Sequence, residues 1–344
     1  MKKLMSIFCT LLISAGLLAA CAPAASSSVP VSSAAPSSSA SVPDEVAATD
    51  MRIAGLKGPT SMGMVKLMQE AEEGSARHNY QVEMYGKADE VTAKLINGDL
   101  DIAAVPANVA SVLYNKTEGK VQVAAINTLG VLYVVQTGDA VKSFADLKGK
   151  TIYSTGQGQT PEFVLNYLLQ QNGIDPEKDV TIEYKAEATE VAALLAEATD
   201  AIAVLPQPYA TAMQVQNEKV TVALNLTEEW DKVSPDSALV TGVLVVRTEF
   251  AEQNKEAFVQ FLEDYKASID WVNANVADAA ELVAQFGIVE KAPIAQKALP
   301  LCNIVYIDGE PLQQKLDGYL SVLFAEAPES VGGALPDAGF YFAA

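Results

Sequence analysis

Two kinds of loop in this chain carry residues suited to holding a small molecule. The first is rich in glycine and hydroxyl groups. It occurs as Lys57-Gly58-Pro59-Thr60-Ser61-Met62-Gly63 and, about one hundred residues on, as Gly156-Gln157-Gly158-Gln159-Thr160-Pro161. The second follows a strand that ends in proline, at Pro106-Ala107-Asn108 and at Pro206-Gln207-Pro208-Tyr209. The candidate ligand-binding residues are therefore Thr60, Ser61, Asn108, Gly156, Gln157, Gly158, Thr160, Gln207 and Tyr209, with Asn127 as a further candidate. Their side chains are mostly neutral hydrogen-bonding groups, and Lys57 is the only charge in these loops. Backbone N–H groups at helix starts suit a small anion. A neutral polar ring stacked on Tyr153, Tyr209 or Trp230 would also fit, although core packing explains each aromatic equally well. A cation is disfavoured, because no carboxylate falls in these loops.

Other chemistries find little support. The formal charge of −20 argues against nucleic acid, whose phosphates need clustered Lys and Arg. His78 is the sole histidine and, between Arg77 and Asn79, is expected at the surface. Once Cys9 and Cys21 are set aside as residues of an export signal, Cys302 stands alone in an apolar run as an inert buried thiol. A lone Cys and a lone His make neither a structural zinc site nor the usual nucleophile pair, so no metal, cofactor or catalytic residue is expected. Gly149-Lys150-Thr151 fails as a phosphate loop because Phe144 stands where its first glycine should be, and it precedes a strand. In the second glycine loop Pro161 replaces the third glycine of a dinucleotide fingerprint.

The elements that must position these loops alternate. Apolar strands at 51–56, 81–85, 101–105, 121–126 and 131–135 are separated by helical stretches, including 90–96 and 109–114. The scheme repeats at an offset near one hundred: strands at 151–154, 180–184 and 200–206, with helices after Thr160 and over 189–198. Thr160 reads as an N-cap with Pro161 at the first helical position, and Asn172-Gly173 supplies the stop. This predicts an α/β fold with largely parallel sheets and two similar lobes. Ligands in such sheets bind beyond the carboxyl ends of the strands, where the candidate loops lie. The apolar stretches 131–135 and 243–247 are candidates for strands crossing between lobes. From residue 254 the character turns helical, and Phe340-Tyr341-Phe342 reads as a packing plug.

The chain opens with Lys2 and Lys3, then an uncharged run to Leu18-Ala19-Ala20-Cys21. That is an export signal rather than a membrane span, and it resembles the signal of bacterial lipoproteins, which implies cleavage before Cys21 and lipid attachment to its thiol. Residues 22–49 are almost entirely Ser, Ala, Pro and Val and read as a disordered tether. With these residues, Gly58-Pro59-Thr60-Ser61-Met62-Gly63, Asn97-Gly98-Asp99-Leu100-Asp101-Ile102-Ala103, Asp146-Leu147-Lys148-Gly149-Lys150-Thr151 and Asn172-Gly173-Ile174-Asp175-Pro176, the chain resembles lipoprotein substrate-binding proteins of bacterial ABC importers. More narrowly it resembles the family that binds nitrate, sulfonates, taurine and pyrimidine precursors of thiamine. Ala198-Thr199-Asp200-Ala201-Ile202 departs from the family's Gly-acidic-Asp-Ile arrangement.

The resemblance implies a two-lobed periplasmic-binding-protein-like fold of type II, with two crossover strands as hinge. The expected organisation is a signal peptide at 1–20, a lipid-anchored tether at 21–49, one lobe from 50–138 with 239–344, and a second from 139–238. It implies a non-enzymatic, monomeric protein on the extracytoplasmic face of the cell membrane. There it would hand a small sulfonate-like or pyrimidine-like ligand to an ABC permease and its ATPase. The rivals are a small-acid enzyme on the same fold, disfavoured by the export signal, and a tethered sensor for a membrane receptor.

Overall fold

In the computed structural model, which describes residues 47–343, the apolar runs pair into two mixed sheets. The expected signal peptide, Cys21 and residues 21–46 of the tether lie outside the described residues. The chain first lays down β1 (Asp50–Leu56), α1 (Pro59–Met62), α2 (Val65–Glu72), β2 (Asn79–Tyr85), α3 (Ala88–Asn97), β3 (Ile102–Pro106), α4 (Ala107–Thr117) and β4 (Val121–Leu129). It continues through β5 (Leu132–Thr137), β6 (Thr151–Thr155), α5 (Thr160–Gln171), β7 (Thr181–Lys185), α6 (Ala188–Glu197), β8 (Ile202–Pro206), α7 (Tyr209–Gln216), β9 (Val220–Asn225) and α8 (Leu226–Val233). It closes with β10 (Val240–Arg247), α9 (Thr248–Gln253), α10 (Lys255–Ala274), α11 (Val276–Gln285), α12 (Ala292–Ala298), β11 (Ile304–Ile307) and α13 (Gly309–Glu326).

The strand orders are β11-β4-β10-β3-β1-β2 and β7-β6-β8-β5-β9. Without the outer strand β11 the first order matches the reverse of the second, strand for strand, so the repeat seen in the sequence is a repeat of topology. The registers repeat as well: Ile53 lies opposite Ile102, and Ile152 opposite Ile202. Only the β-α-β units are parallel. β10 returns from the second lobe and runs antiparallel between β3 and β4, and β5 arrives from the first lobe and runs antiparallel between β8 and β9. The largely parallel sheets expected from the alternation are thus mixed, because each crossing strand enters its sheet from the far side. The expected lobe boundary at 138 leaves β5 with the first lobe, whereas its hydrogen bonds are with the second sheet.

Helix α10 buries Phe258, Phe261, Leu262, Tyr265 and Ile269 at helical spacing against the first sheet. Its Ser268 hydroxyl donates to the Gly63 carbonyl at 2.7 Å and accepts from the Leu67 N–H at 3.1 Å, which fixes the turn between α1 and α2. His78 is buried, contrary to its polar sequence setting: Nδ1 accepts from the Thr49 N–H at 3.2 Å and Nε2 lies 3.0 Å from Gln260 Oε1 on α10. Cys302 is fully buried, as its apolar neighbours imply. Phe340 is buried as a plug, and the Phe342 N–H bonds the Val123 carbonyl at 2.9 Å.

At the base of the first sheet Asp101 is buried and accepts from Arg52 through N, Nε and Nη2 at 3.0, 2.9 and 2.6 Å, and from Arg247 Nη2 at 3.2 Å. This ties the starts of β1 and β3 to the end of β10. Burial raises the carboxyl's pKa, but the hydrogen bonds and charge of Arg52, with Arg247, outweigh it and hold Asp101 below the ordinary carboxylate range. Arg52 is substantially exposed, so solvent screens part of the interaction. Asp101→Asn should therefore cost about 1–3 kcal/mol in urea unfolding at neutral pH, less than for a fully buried pair. A depressed carboxyl contributes stability above its unfolded pKa and loses it as pH falls through the folded value. The gap between wild type and variant should therefore narrow on acidification below about pH 4. A gap that stays constant down to acid would show that the ionised carboxylate is not the stabilising species.

Candidate functional site

Each crossing strand begins opposite one of the two strand-ending prolines. Gly242 of β10 pairs with Pro106, and Leu132 of β5 pairs with Pro206. The Gln207 N–H also bonds the Val131 carbonyl at 2.9 Å. Both proline loops are thereby drawn to the place where the chain passes between sheets, and a cavity of about 540 Å³ lies there. Its first-lobe wall is Lys87, Ala88 and Asp89 at the start of α3, with Pro106, Asn108 and Val109. Its second-lobe wall is Gln159, Thr160 and Pro161 at the start of α5, with Pro206, and the crossings contribute Val131, Leu132, Leu239 and Thr241. The volume lies within the ~300–1,000 Å³ usual for small-molecule sites, and the mix of apolar wall and few polar groups is also usual.

The structure brings two of the candidate side chains, Asn108 and Thr160, onto facing walls of this cavity. The Asn108 amide also donates to the Ser330 carbonyl at 3.2 Å, which fixes its orientation. Gly156 and Gly158 form the loop leading to Thr160 with φ of 75° and 71°, a left-handed backbone that glycine adopts without strain. Gln157 is exposed. The Gly158 N–H is already engaged by the Glu162 carboxylate, so this loop offers fewer free donors than its composition implies. The N-cap of α5 is Gln159 rather than Thr160, and Pro161 sits in the first turn.

Ser61 packs against Gly55, and Thr60 and Asn127 lie behind the first-lobe wall, packed at Gly242. A Cβ there would stand 2.4 Å from Thr60 Cγ2 and 2.6 Å from Asn127 Oδ1. Gln207 is buried too, its Oε1 accepting from the Thr211 hydroxyl at 2.8 Å. Ser61 Oγ, Asn127 Nδ2 and Gln207 Nε2 are buried and make no hydrogen bond among the described residues. A buried polar group left so costs about 1–3 kcal/mol. Tyr209 is elsewhere: 48 % exposed, it lines a separate recess between α7 and the α11–α12 segment.

Of the three aromatics, Trp230 follows the core-packing alternative. Trp230 is fully buried, its ring 4.8 Å from Tyr167 and 5.7 Å from Tyr319, with Nε1 donating to Ser237 Oγ at 2.9 Å. Neither it nor Tyr153 or Tyr209 lines the cavity, whose flat apolar surfaces are prolines and aliphatic side chains. The charges differ from expectation: the cavity carries Lys87 and Asp89, while Lys57 does not line it. Gly86-Lys87-Ala88-Asp89 follows the carboxyl end of β2, the position that the candidate loops hold after β1, β3, β6 and β8.

Residues 81–279, more than half of the 344-residue chain, match the NMT1/THI5-like family. The chain belongs to that family. A protein of Brucella abortus, provisionally named a binding protein, is 25% identical over 217 residues, 61% of this chain. The match spans 66% of that relative, just under two thirds of its length. Among solved structures, an ABC transporter protein from Parabacteroides distasonis superposes with a TM-score of 0.71 at 23% identity, covering 86% of this chain and 99% of that one. The periplasmic aliphatic sulphonate binding protein of Escherichia coli gives 0.66 at 16% identity, covering 83% and 90%. At these identities the likeness establishes the fold, a two-lobed periplasmic-binding-protein architecture. In this member of the NMT1/THI5-like family the layer behind the cleft depends on the absence of a side chain at Gly242. Gly242→Ala should lose about 1–3 kcal/mol in urea unfolding by overpacking against Thr60 and Asn127. Unchanged stability would show that this layer can yield.

Proposed function

We propose that this NMT1/THI5-like chain is the solute-binding component of an ABC importer. It captures a small polar or anionic organic ligand, sulfonate-like or pyrimidine-like, between its lobes and delivers it to a membrane permease driven by an ATPase. The observation that carries this reading is the cavity at the lobe crossing, with Asn108 and Thr160 on facing walls. Uncharged donors held by rigid elements can bind an acceptor-rich solute and release it without chemistry. Thr60, Ser61, Asn127 and Gln207 supply the polar layer behind those walls. Gly156, Gln157 and Gly158 shape the second-lobe jaw.

The same reading makes the protein a monomeric, non-enzymatic lipoprotein, exported by residues 1–20, acylated at Cys21 and tethered by residues 21–49. It sits on the extracytoplasmic face of the cell membrane. Its first lobe comprises 50–138 and 239–344 with β5 contributed to the second, and the second is centred on 139–238. The likeness to an ABC transporter protein and to a sulphonate binding protein supports the importer part of this reading.

A thermal-shift screen with sulfonates, pyrimidines, amino acids and small carboxylates tests the reading. A true ligand at one hundred times its dissociation constant adds about 2.7 kcal/mol to the folded state. A folded protein that ignores the whole panel would count against a solute receptor of this class. With a ligand in hand, Thr160→Ala and Asn108→Ala should each weaken binding by about 0.5–1.5 kcal/mol, the net worth of one hydrogen bond. Thr160→Ala should leave the unliganded melting temperature nearly unchanged. Full affinity in both variants would remove the cleft assignment.

A further inference from the structure

Helices α3, α4 and α5 all begin at the cavity, lining it with Ala88, Asn108 and Thr160, but their first turns differ in charge. The N–H groups of a first helical turn have no partner within the helix and, with the helix dipole, favour an anion. At α5 an anion is already in place. Glu162, in the first turn, directs its carboxylate back onto the glycine loop and accepts from the Gly158 N–H at 2.5 Å. Neighbouring donors are spent as well. The Gln159 N–H bonds the Gly156 carbonyl at 3.0 Å, and the Glu162 and Phe163 N–H groups return to the Gln159 carbonyl at 3.0 and 3.3 Å. Pro161 has no N–H to offer.

Helix α3 follows the same pattern, with Asp89 and Glu90 in its first turn and Asp89 on the cavity wall. Helix α4 has no acid in its first turn. Lys87 is the only cation among the described lining residues, and Asp89 lies beside it on the same wall. Among the described residues no Lys or Arg forms an ion pair with Glu162, so the α5 N-terminus is what opposes its charge. Glu162 does not line the cavity. It faces the outer recess between α5 and β7, behind the turn that carries Thr160, and acts on a ligand through the loop rather than by contact. An uncharged acceptor, a carbonyl or a ring nitrogen, can still use the Thr160 hydroxyl and the start of α4. An oxyanion placed there meets a like charge with few free donors to offset it.

We infer that Glu162 sets the charge selectivity of the cleft: it is a built-in anion at the second-lobe jaw, and the solute taken is uncharged and acceptor-bearing, not an oxyanion. This rests on the reading of the cavity as the solute site. Matched pairs separate charge from shape: methanesulfonate with methanesulfonamide, benzoate with benzamide, and nicotinate with nicotinamide. Titrated calorimetrically into the full chain at neutral pH, the uncharged member of a pair should bind about tenfold or more tighter than its anion. Glu162→Gln keeps the side-chain length and an acceptor for the Gly158 N–H while removing the charge. It should raise affinity for the anions about fivefold or more and leave the uncharged members within about twofold. A residue that only held the loop in shape would shift both members of a pair together. That result, or a wild-type preference for the anions, would overturn the inference, and the second is read without any variant. Binding of the anions would still leave the cavity as a solute site. Silence of every pair with the folded wild type would instead remove the solute-site reading, and this inference with it.

Discussion

The arrangement on which the rest depends is the entry of each crossing strand into the other lobe's sheet beside a strand that ends in proline. β10 lies against β3 and β5 against β8, antiparallel in both cases. Proline lacks a donor N–H and cannot extend the ladder, so β3 and β8 stop where the crossings start. Two loops and two crossings are thereby forced to one level, and the cavity is the space they leave. The backbones must also come close. Gly242 has no room for a Cβ beside Thr60 and Asn127, and at Gly130 a Cβ would stand 2.2 Å from Thr227 Oγ1 and 2.4 Å from Leu239 Cδ2. Glycine at the crossings is a packing requirement, because neither position has a left-handed backbone.

The same strands keep strong charges away from that level. The Asp101, Arg52 and Arg247 cluster sits at the start of β3, while Pro106 at its end lines the cleft. About five residues at roughly 3.3 Å each separate them, about 16 Å of buried strand. The cluster therefore braces the sheet with little direct influence on a ligand. At the cleft the polar groups are amides and hydroxyls, and the two charged residues, Lys87 and Asp89, stand exposed at its rim. A net charge of −20 spread over the chain does not translate into an anionic binding surface here.

Much of this was legible in the sequence because punctuation repeats. Thr60 and Thr160, and Pro106 and Pro206, recur at an offset of one hundred, and the sheet registers Ile53–Ile102 and Ile152–Ile202 follow it to within one residue. Illegible were the features set by partners far along the chain. His78 looks like a surface residue among polar neighbours, but Gln260, 182 positions away, covers it. Trp230 could have been a stacking platform until Tyr167 and Tyr319 enclosed it. The mixed sheets were hidden because strand direction at a crossing depends on which lobe the chain has just left. Lys87 and Asp89 stand in a loop without the glycine-and-hydroxyl signature, marked only by its place at the carboxyl end of the parallel strand β2.

The repeat also explains why the two lobes do not contribute equally. In the first lobe the glycine loop is folded into α1, and Thr60 and Ser61 are sealed under β10, with relative exposures of 7 % and 0 %. In the second lobe the corresponding Thr160 stays at the cavity surface, and the loop before it turns through two glycines with positive φ. One copy of the design has therefore become a fixed floor, packed against α10 through Ser268 and carrying polar atoms that face inward. The other remains a solvent-facing jaw. Thr160 thus stands on a segment that turns through two positive-φ glycines, whereas Thr60 stands on one sealed in the core. This division of labour arises from a single difference: what the crossing strand lays over the loop.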